Sequence, residues 1–433
     1  MDEKEYLQTL GEQIVNPHAR ASVLAEIQDH IEEQAQDYRA SGMSEAVAMQ
    51  EAVRQMGDPV STGEALNQVH RPKFPIALFG LAVVLTVLGI AMQYLVYTHL
   101  TPDTAILSDT YLQRTILYNA IGLGLLLLCI FGNYMYLAKG TWILLAIFLL
   151  GLLPPWFFGF YSRQYTLCYY LALVYPLVYA LLLYRLRDKG AKAIWFLHGL
   201  TLLFLVRMLF GTIITWSTVL AAGCLTLLLL CLAIHRGILT GSSKRTLWLL
   251  TVLPYVAAAA CFVILFFQNS YMRDRLTEFL KGSSYVQQML ALEQQQMLAF
   301  GGGTISSYVD TESLASTYVL HSIFLWFGIV SGILVIVALA VLVLRSLHYA
   351  LHQSNRLALL AGTAASGILL FELLHFVLTN LGCSPVYTAS VPFLSYGFAN
   401  SVFNSLLVGI TLGVIRNQNV LSETTASLRG LRA

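Results

Sequence analysis

The chain contains many apolar runs of about 20 residues, and this feature limits its possible folds more than any other. A helix of that length crosses about 30 Å of hydrocarbon, because each residue adds about 1.5 Å. Of all residues, 57% are hydrophobic and only 11% are charged, whereas soluble domains carry roughly 25% charged residues. The sequence therefore excludes a soluble globular protein and predicts an all-α, polytopic membrane protein.

We count ten apolar segments, which predict about ten transmembrane helices. Their approximate limits are 74–100, 115–137, 141–161, 165–184, 193–210, 212–235, 246–268, 318–344, 357–381 and 391–415. The division at Gly211 is the least defined, since the two short segments 193–210 and 212–235 could instead form one long kinked helix. The predicted domains are residues 1–70, a transmembrane domain 74–416 and a tail 417–433.

Basic residues in short loops predict the orientation, because such loops stay on the cytoplasmic side of the membrane. Lys and Arg cluster in the loops near 185–192, 236–245 and 345–356 and in the C-terminal tail. Ten spans place all of these on the side of the N-terminus, whose acidic start lacks a signal-peptide pattern. We therefore expect a cytoplasmic (inner) membrane protein with both termini in the cytoplasm and a large extracytoplasmic loop at 269–317.

Residues 1–70 predict a small cytoplasmic helical domain. Apolar residues recur there at helical spacing, Ser44 precedes a second helical run, and Gly57-Asp58-Pro59 ends that run. The stretch resembles the permease-prefix, or HAAS-like, domain. The residues that carry this resemblance are Glu26-Ile27, His30-Ile31, Gly42-Met43-Ser44 and Met56-Gly57-Asp58-Pro59. A cytoplasmic partner of residues 1–70 is a further hypothesis, in which this domain relays the partner's signal.

Three stretches of the second half occur in an order and spacing typical of one family. The stretches are 271–280 with Tyr285-Val286-Gln287-Gln288, then Phe300-Gly301-Gly302-Gly303, and finally Asn380-Leu381-Gly382, Pro385 and Val391-Pro392-Phe393-Leu394-Ser395-Tyr396-Gly397. Over residues 186–417 the chain thus resembles the shape, elongation, division and sporulation (SEDS) family, the group of RodA, FtsW and SpoVE.

The resemblance implies a role in peptidoglycan synthesis, in cell division or cell shape. Members polymerise lipid II, an undecaprenyl-pyrophosphate-linked disaccharide, by glycosyl transfer, usually beside a class B penicillin-binding protein. The substrate-binding residues that it implies here are Arg273, Arg275, Asn380, Ser395, Tyr396 and Gly397. The reaction needs a base for the acceptor hydroxyl, and cationic groups or a divalent cation to offset the leaving charge. The sequence indicates no metal site and no other cofactor.

The position of the family's essential aspartate carries Thr317 in this chain, counted back from Gly328. A threonine hydroxyl is not a base at neutral pH without an activating partner. The acidic pair that follows in the family is replaced by Leu325-Trp326. Asp310 and Glu312, just before Thr317, are the candidate substitute bases, and the simpler interpretation is that they are solvated loop acids.

Two further pairs have a functional and a structural interpretation. Arg273 and Arg275 could hold a pyrophosphate or anchor at the headgroup level. Glu372 and His375 lie one helical turn apart inside a span. They could form a proton relay, or they could pair structurally with Arg207, Asn404 or Asn380.

The sequence supports three functions. The first is a SEDS-like protein that binds lipid II and polymerises it. The second is a non-catalytic relative that acts as a scaffold or regulator of envelope synthesis, as the missing aspartate favours. The third is a transporter of a lipid-linked precursor, for which the sequence shows no inverted repeat. The net charge of only +2 and the lack of a broad basic surface argue against nucleic acid as a partner.

Overall fold

The computed structural model describes residues 1–100, 105–153, 164–211, 216–302, 311–385 and 390–418. The regular elements in these ranges are all helices, which confirms the predicted all-α fold. Two compact units are present. The first contains Met1–Pro75, Gln353–Arg356 and the residues from Val414 on, and the second contains Ile76–His352 and Leu357–Gly413.

The N-terminal residues form four helices. These are α1 (Glu3–Gln13), α2 (Pro17–Ala40), α3 (Glu45–Gln55) and α4 (Pro59–Val69). The triplet Gly57-Asp58-Pro59 follows α3, as predicted, but it also begins α4, which was not predicted. Asp58 accepts a hydrogen bond from the Ser61 backbone N–H at 2.8 Å, and Pro59 occupies the first turn. Both residues favour a helix start.

A small core joins these four helices. Its buried members are Tyr6, Leu10, Ile14, Ala19, Val23, Ile31, Ala35, Ala52 and Val53. The apolar residues that recur at helical spacing include Ile14, Val23 and Ile31, which are core, and Leu24 and Ile27, which are partly buried against it. Tyr6 brings its hydroxyl to the carbonyl of Met56, at 3.1 Å, so the buried phenol is hydrogen-bonded as a buried polar group should be.

The remaining described residues form fifteen helices and one short 3-10 turn. The first eight helices are α5 (Ile76–Leu100), α6 (Ala105–Phe131), α7 (Met135–Lys139), α8 (Thr141–Gly151), α9 (Gln164–Arg185), α10 (Ala191–Gly211), α11 (Trp216–His235) and α12 (Lys244–Gln268). The other seven are α13 (Ser270–Leu280), α14 (Tyr285–Gln294), α15 (Thr311–Ser316), α16 (Val319–Phe327), α17 (Ile329–Leu351), α18 (Arg356–Asn380) and α19 (Phe398–Arg416).

Within the described ranges, nine helices are long and apolar enough to cross a membrane: α5, α6, α9 to α12 and α17 to α19. The chain is thus a multi-pass membrane protein with the predicted number of about ten apolar helices. The shorter α8 has 11 residues, and the rest of its predicted segment includes residues 154–163, which lie outside the described ranges. At the division near Gly211, α10 is described as far as Gly211 and α11 begins at Trp216, while residues 212–215 lie outside the described ranges. The division there stays a prediction.

Two predicted spans have wrong boundaries. The span 318–344 is interrupted at Gly328, which separates α16 from α17 and has φ 89°, a backbone conformation that favours glycine. The span 391–415 begins too early, because residues 391–397 are not helical and α19 starts at Phe398. Hydropathy did not detect either break, since Val391, Phe393 and Leu394 are apolar and buried although they lie outside a helix.

Burial distinguishes the central helices from the peripheral ones. In the apolar window of α18, 78% of the residues are buried, against 6% in α12. The pairs α9 and α11, α5 and α6, and α16 and α17 are in extensive contact, and α12 contacts α10 and α11. Consequently α18 needs internal partners for its polar side chains, whereas α12 presents most of its surface to the outside of the bundle.

The large loop returns to the bundle at the break between α16 and α17. Backbone N–H groups of Ile329 and Val330 donate to the carbonyls of Leu298 and Ala299, at 2.9 and 3.3 Å. A Cβ atom at Gly328 would lie 2.6 Å from the Ala299 oxygen, so a larger residue would displace the loop. This close approach explains why the break requires glycine.

Replacing Gly63 by valine should destabilise the N-terminal helices by about 1–3 kcal/mol, because overpacking forces the backbone apart. A Cβ at Gly63 in α4 would lie 2.8 Å from the Gln13 Cβ and 2.9 Å from the Leu10 carbonyl oxygen of α1. Limited proteolysis of the full-length protein in urea should show earlier cleavage within residues 1–70. Glu64→Val, at the exposed neighbouring position, is the control, and equal cleavage of the two variants would contradict the α1 to α4 packing.

Candidate functional site

The segment Val391–Gly397, which we call the motif loop, connects to α19 through a network of buried hydrogen bonds. The Ser395 hydroxyl accepts from the Val391 backbone N–H at 3.1 Å. Asn400, in the first turn of α19, donates to the Ser395 and Val391 carbonyls at 2.8 and 3.4 Å. Ser395 is 3% exposed. Ser395, one of the predicted substrate-binding residues, therefore forms a hydrogen bond within the motif loop.

Helix α5 fixes the other side of the motif loop. Gln93 is buried and donates from Nε2 to the Leu394 carbonyl at 2.7 Å. A side chain at Gly89 would collide with the Phe393 backbone oxygen, so glycine permits this close approach. Phe393 has φ 69°, a conformation that is unusual for an aromatic residue and persists only where surrounding contacts hold it.

Tyr396 connects the motif loop to the large loop and to α6. Its backbone N–H donates to the Ala315 carbonyl of α15 at 3.1 Å. The ring is half-buried and stacks on Tyr111, with centroids 4.2 Å apart, and lies 6.1 Å from Tyr118. Gly397 follows with φ 140°. The predicted residues Tyr396 and Gly397 thus lie in one partly exposed aromatic patch.

Asn380, at the end of α18, is the hydrogen-bonding hub between the spans and the large loop. Its Oδ1 accepts from the His321 backbone N–H at 2.9 Å, and its Nδ2 donates to the Thr317 and Phe376 carbonyls at 2.9 and 2.8 Å. The side chain is 0% exposed. Asn380 therefore positions the turn that carries Thr317, which is a structural role beside its predicted role in binding.

Thr317 lies in the turn between α15 and α16 and is half-buried. Its backbone N–H donates to Ser313 at 2.9 Å. Glu312 belongs to α15, but its side chain lies outside the described part of the structure, and Asp310 lies outside the described residues altogether. Their assignment as substitute bases remains a prediction.

A buried pair that the sequence did not predict lies one helical turn beyond Thr317. The Nε2 atom of His321 is 2.7 Å from Oε2 of Glu293, and the two side chains are 0% and 2% exposed. The pair joins α14 of the large loop to α16. The sequence did not indicate this pair, because Glu293 precedes three glutamines and its surroundings are typical of an exposed residue. The one sequence feature that could have indicated it is His321, a single histidine inside an apolar run.

The two arginines predicted to bind pyrophosphate have different surroundings on α13. Arg273 is exposed. Arg275 is half-buried, and its Nε donates to the Pro385 carbonyl while its Nη1 donates to the Tyr271 hydroxyl, both at 2.7 Å. Arg275 is therefore held against the segment that follows Asn380, and Arg273 is not brought to the same place.

Glu372 is hydrogen-bonded to Ser390, the residue before the motif loop. Its Oε1 accepts from the Ser390 hydroxyl at 3.3 Å, and Ser390 is 3.2 Å from the Tyr169 hydroxyl. Glu372 is 1% exposed, and Asn404 lies beside its carboxyl group. The His375 ring instead stacks with Phe371. Of the structural partners considered for Glu372, Asn404 lies beside the carboxyl group, and its Nδ2 donates to the Asn400 Oδ1 at 2.6 Å.

The candidate residues thus form a hydrogen-bonded loop with an aromatic patch, and separately an arginine held against Pro385. Such a surface suits a ligand with sugar hydroxyls and a phosphate, because aromatic rings and guanidinium groups offer matching contacts. Among the residues described, no group of three or more His, Cys, Asp or Glu side chains could hold a metal ion. A divalent cation at the site remains a prediction.

Comparisons with known proteins agree with parts of the sequence analysis. Residues 5–61 match the family model named HAAS. A solved structure titled "Structural coordination of polymerization and crosslinking by a peptidoglycan synthase complex" matches with TM-score 0.56 and 19% sequence identity, covering 80% of this chain and 98% of that chain. At this identity the match shows a shared fold. No curated protein matches the chain.

Replacing Asn380 by leucine should destabilise the protein by about 1–3 kcal/mol, because the buried Thr317 carbonyl and His321 N–H would lose their partner. The thermal unfolding midpoint of the purified full-length protein in detergent measures this effect. The control is Gln294→Leu, which removes the half-buried amide that donates to the Leu381 carbonyl at 3.2 Å and should change the midpoint little. Equal midpoints for both variants would disprove the role of Asn380 as hub.

Proposed function

We propose that this chain is a SEDS-like protein of bacterial peptidoglycan synthesis that binds lipid II on the extracytoplasmic side of the cytoplasmic membrane. The observation that carries the proposal is the motif loop, whose sequence is typical of the family. Gln93 and Asn400 hold its backbone by hydrogen bonds, and Asn380 holds the neighbouring turn at Thr317. The fold similarity to a chain of a peptidoglycan synthase complex supports it. A class B penicillin-binding protein is the proposed partner.

The proposed reaction is glycosyl transfer. The acceptor hydroxyl oxygen forms a bond to the anomeric carbon of the donor, the bond from that carbon to the pyrophosphate oxygen breaks, and undecaprenyl pyrophosphate leaves. A base takes the hydroxyl proton. We assign this role to Asp310 or Glu312, since Glu293 and Glu372 are buried and engaged by His321 and Ser390. A bound divalent cation, together with Arg275, would offset the charge of the leaving group.

A second candidate is a non-catalytic scaffold that binds the same ligand and regulates a partner enzyme. The observation that favours it is Thr317, which stands where the resemblance expects the catalytic aspartate. In this case the HAAS-matching residues would bind a cytoplasmic partner and relay its state. Both candidates require lipid II binding, so polymerisation by the purified protein distinguishes them.

We expect strands from labelled lipid II with the wild-type protein and a loss of at least tenfold in Asp310→Ala or Glu312→Ala, since a general base contributes about 10²–10⁴-fold. Asp274→Ala removes an exposed acid of α13 and is the matched control. The assay is run with and without a class B penicillin-binding protein.

The outcomes separate the two candidates. Wild-type protein that binds lipid II but makes no strands with any partner would support the scaffold. Strands that appear only in Thr317→Asp would show that the site is intact but lacks its base. Failure to bind lipid II at all would disprove the proposal.

The proposed orientation predicts that Cys383, an exposed thiol after α18, reacts with a membrane-impermeant maleimide added to intact cells. A cysteine introduced by Ser41→Cys in the N-terminal domain, where Ser41 is exposed, should react only after the cells are permeabilised. The measurement is mass tagging of the full-length protein. The reverse pattern would place the large loop in the cytoplasm.

A further inference from the structure

Two exposed histidines lie one helical turn apart at the end of α17. His348 belongs to the last turn of the helix, and His352 is its C-terminal cap residue. Residues four positions apart on a helix face the same side. The two imidazole rings are therefore neighbours, with centroids 4.3 Å apart and planes inclined by 37°. Neither residue belongs to the candidate site around the motif loop.

A hydrogen bond to the backbone fixes the orientation of the His352 ring. Its Nδ1 atom lies 2.8 Å from the His348 carbonyl oxygen. A carbonyl oxygen only accepts, so Nδ1 carries the hydrogen and Nε2 of the neutral ring keeps its lone pair. Histidines that bind metals are commonly oriented in this way, by a hydrogen bond from the other ring nitrogen to a backbone carbonyl. The Nε2 atom of His352 is thus available as a metal ligand.

The geometry of the pair suits two adjacent coordination positions of a metal ion. Imidazole nitrogen binds Zn²⁺ at about 2.0–2.1 Å, so two such ligands at a right angle lie ~3 Å apart. Both side chains are exposed, so small rotations bring two ring nitrogens to this spacing without a change in the core. Among the described residues, no third His, Cys, Asp or Glu completes a cluster, so the other positions of a bound ion would be open.

Helix capping is the simpler interpretation of these histidines. The carbonyl groups at the end of a helix lack internal partners, and a histidine near them is favourable. Two of these carbonyls in α17 are occupied, since His352 donates to His348 and Arg236 donates to Leu351 at 3.2 Å. Capping needs only the His352 ring, so it does not explain why a second imidazole lies beside it.

We propose that His348 and His352 form a binding site for a divalent transition-metal ion. Imidazole suits Zn²⁺, Cu²⁺ and Ni²⁺, whereas Ca²⁺ and Mg²⁺ prefer oxygen ligands. The ion bridges one turn at the end of α17, and its open positions accept water or a donor atom of another molecule. The proposed reaction of lipid II uses neither histidine, so this inference is independent of the proposed function.

Binding of Ni²⁺-nitrilotriacetate to the full-length protein, purified without a histidine tag, tests the proposal by isothermal titration calorimetry. This chelate leaves two adjacent positions of the ion open, so it selects sites that offer two imidazoles. His348→Ala and His352→Ala should each weaken binding about tenfold or more, because each leaves a single ligand. His235→Ala removes an exposed histidine at the end of α11 and should leave binding unchanged.

A relocated histidine tests the spacing. Arg345→His, at an exposed position of α17, is combined with His348→Ala. The double variant keeps the number of histidines but separates the two rings by two helical turns, a rise of about 10.5 Å. It should bind as weakly as His348→Ala alone. Binding as strong as that of the wild type would show that any surface histidines suffice and would overturn the site.

The thermal unfolding midpoint separates metal binding from capping. Ni²⁺-nitrilotriacetate should raise the midpoint of the wild type but not of the alanine variants, because a ligand that binds only the folded state stabilises it. His352→Asn keeps a residue suited to a helix end and should also lose the metal effect. If the wild type binds no chelate, or if His348→Ala binds it equally well, the histidines only cap the helix and the proposal is wrong.

Discussion

The hydrogen bonds of the motif loop are the constraint on which the site depends. Lipid offers no partner to a backbone N–H or C=O group, so non-helical backbone persists within a membrane domain only where protein satisfies it. Here the carbonyls of Val391, Leu394 and Ser395 accept from Gln93 and Asn400. These two amides therefore permit an apolar, non-helical segment to lie between α18 and α19.

The same requirement extends from the motif loop to the large loop. The Tyr396 backbone N–H donates to the backbone of α15. Asn380 bonds to the Thr317 carbonyl, to the His321 N–H and to α18 itself. The buried pair of Glu293 and His321 adds a second connection from α14 to α16. The large loop is thus attached to the transmembrane helices through α14, α15 and the break at Gly328. These attachments explain why α14 and α15 pack against α5.

The sequence predicted the helices well because a membrane span needs length and apolar character, and both are local properties. It did not predict the breaks at Gly328 and before Phe398, since the residues there are as apolar as those of a span. Nor did it predict the pair of Glu293 and His321, because that contact joins residues 28 positions apart. The resemblance pointed to Asn380, Ser395 and Tyr396, yet the geometry gives Asn380 and Ser395 internal hydrogen bonds that no local pattern reveals.

The resemblance expects an acid at the position of Thr317, and the described contacts show why the fold of this turn does not require one. The contacts described at this position use the backbone: its N–H donates to Ser313 and its carbonyl accepts from Asn380. Neither bond depends on the side chain, so the fold of the turn does not depend on which residue stands there. Selection on the fold would retain Asn380 while leaving position 317 unconstrained. The proposed polymerase and the proposed scaffold would therefore share the same turn, whichever residue stands at position 317.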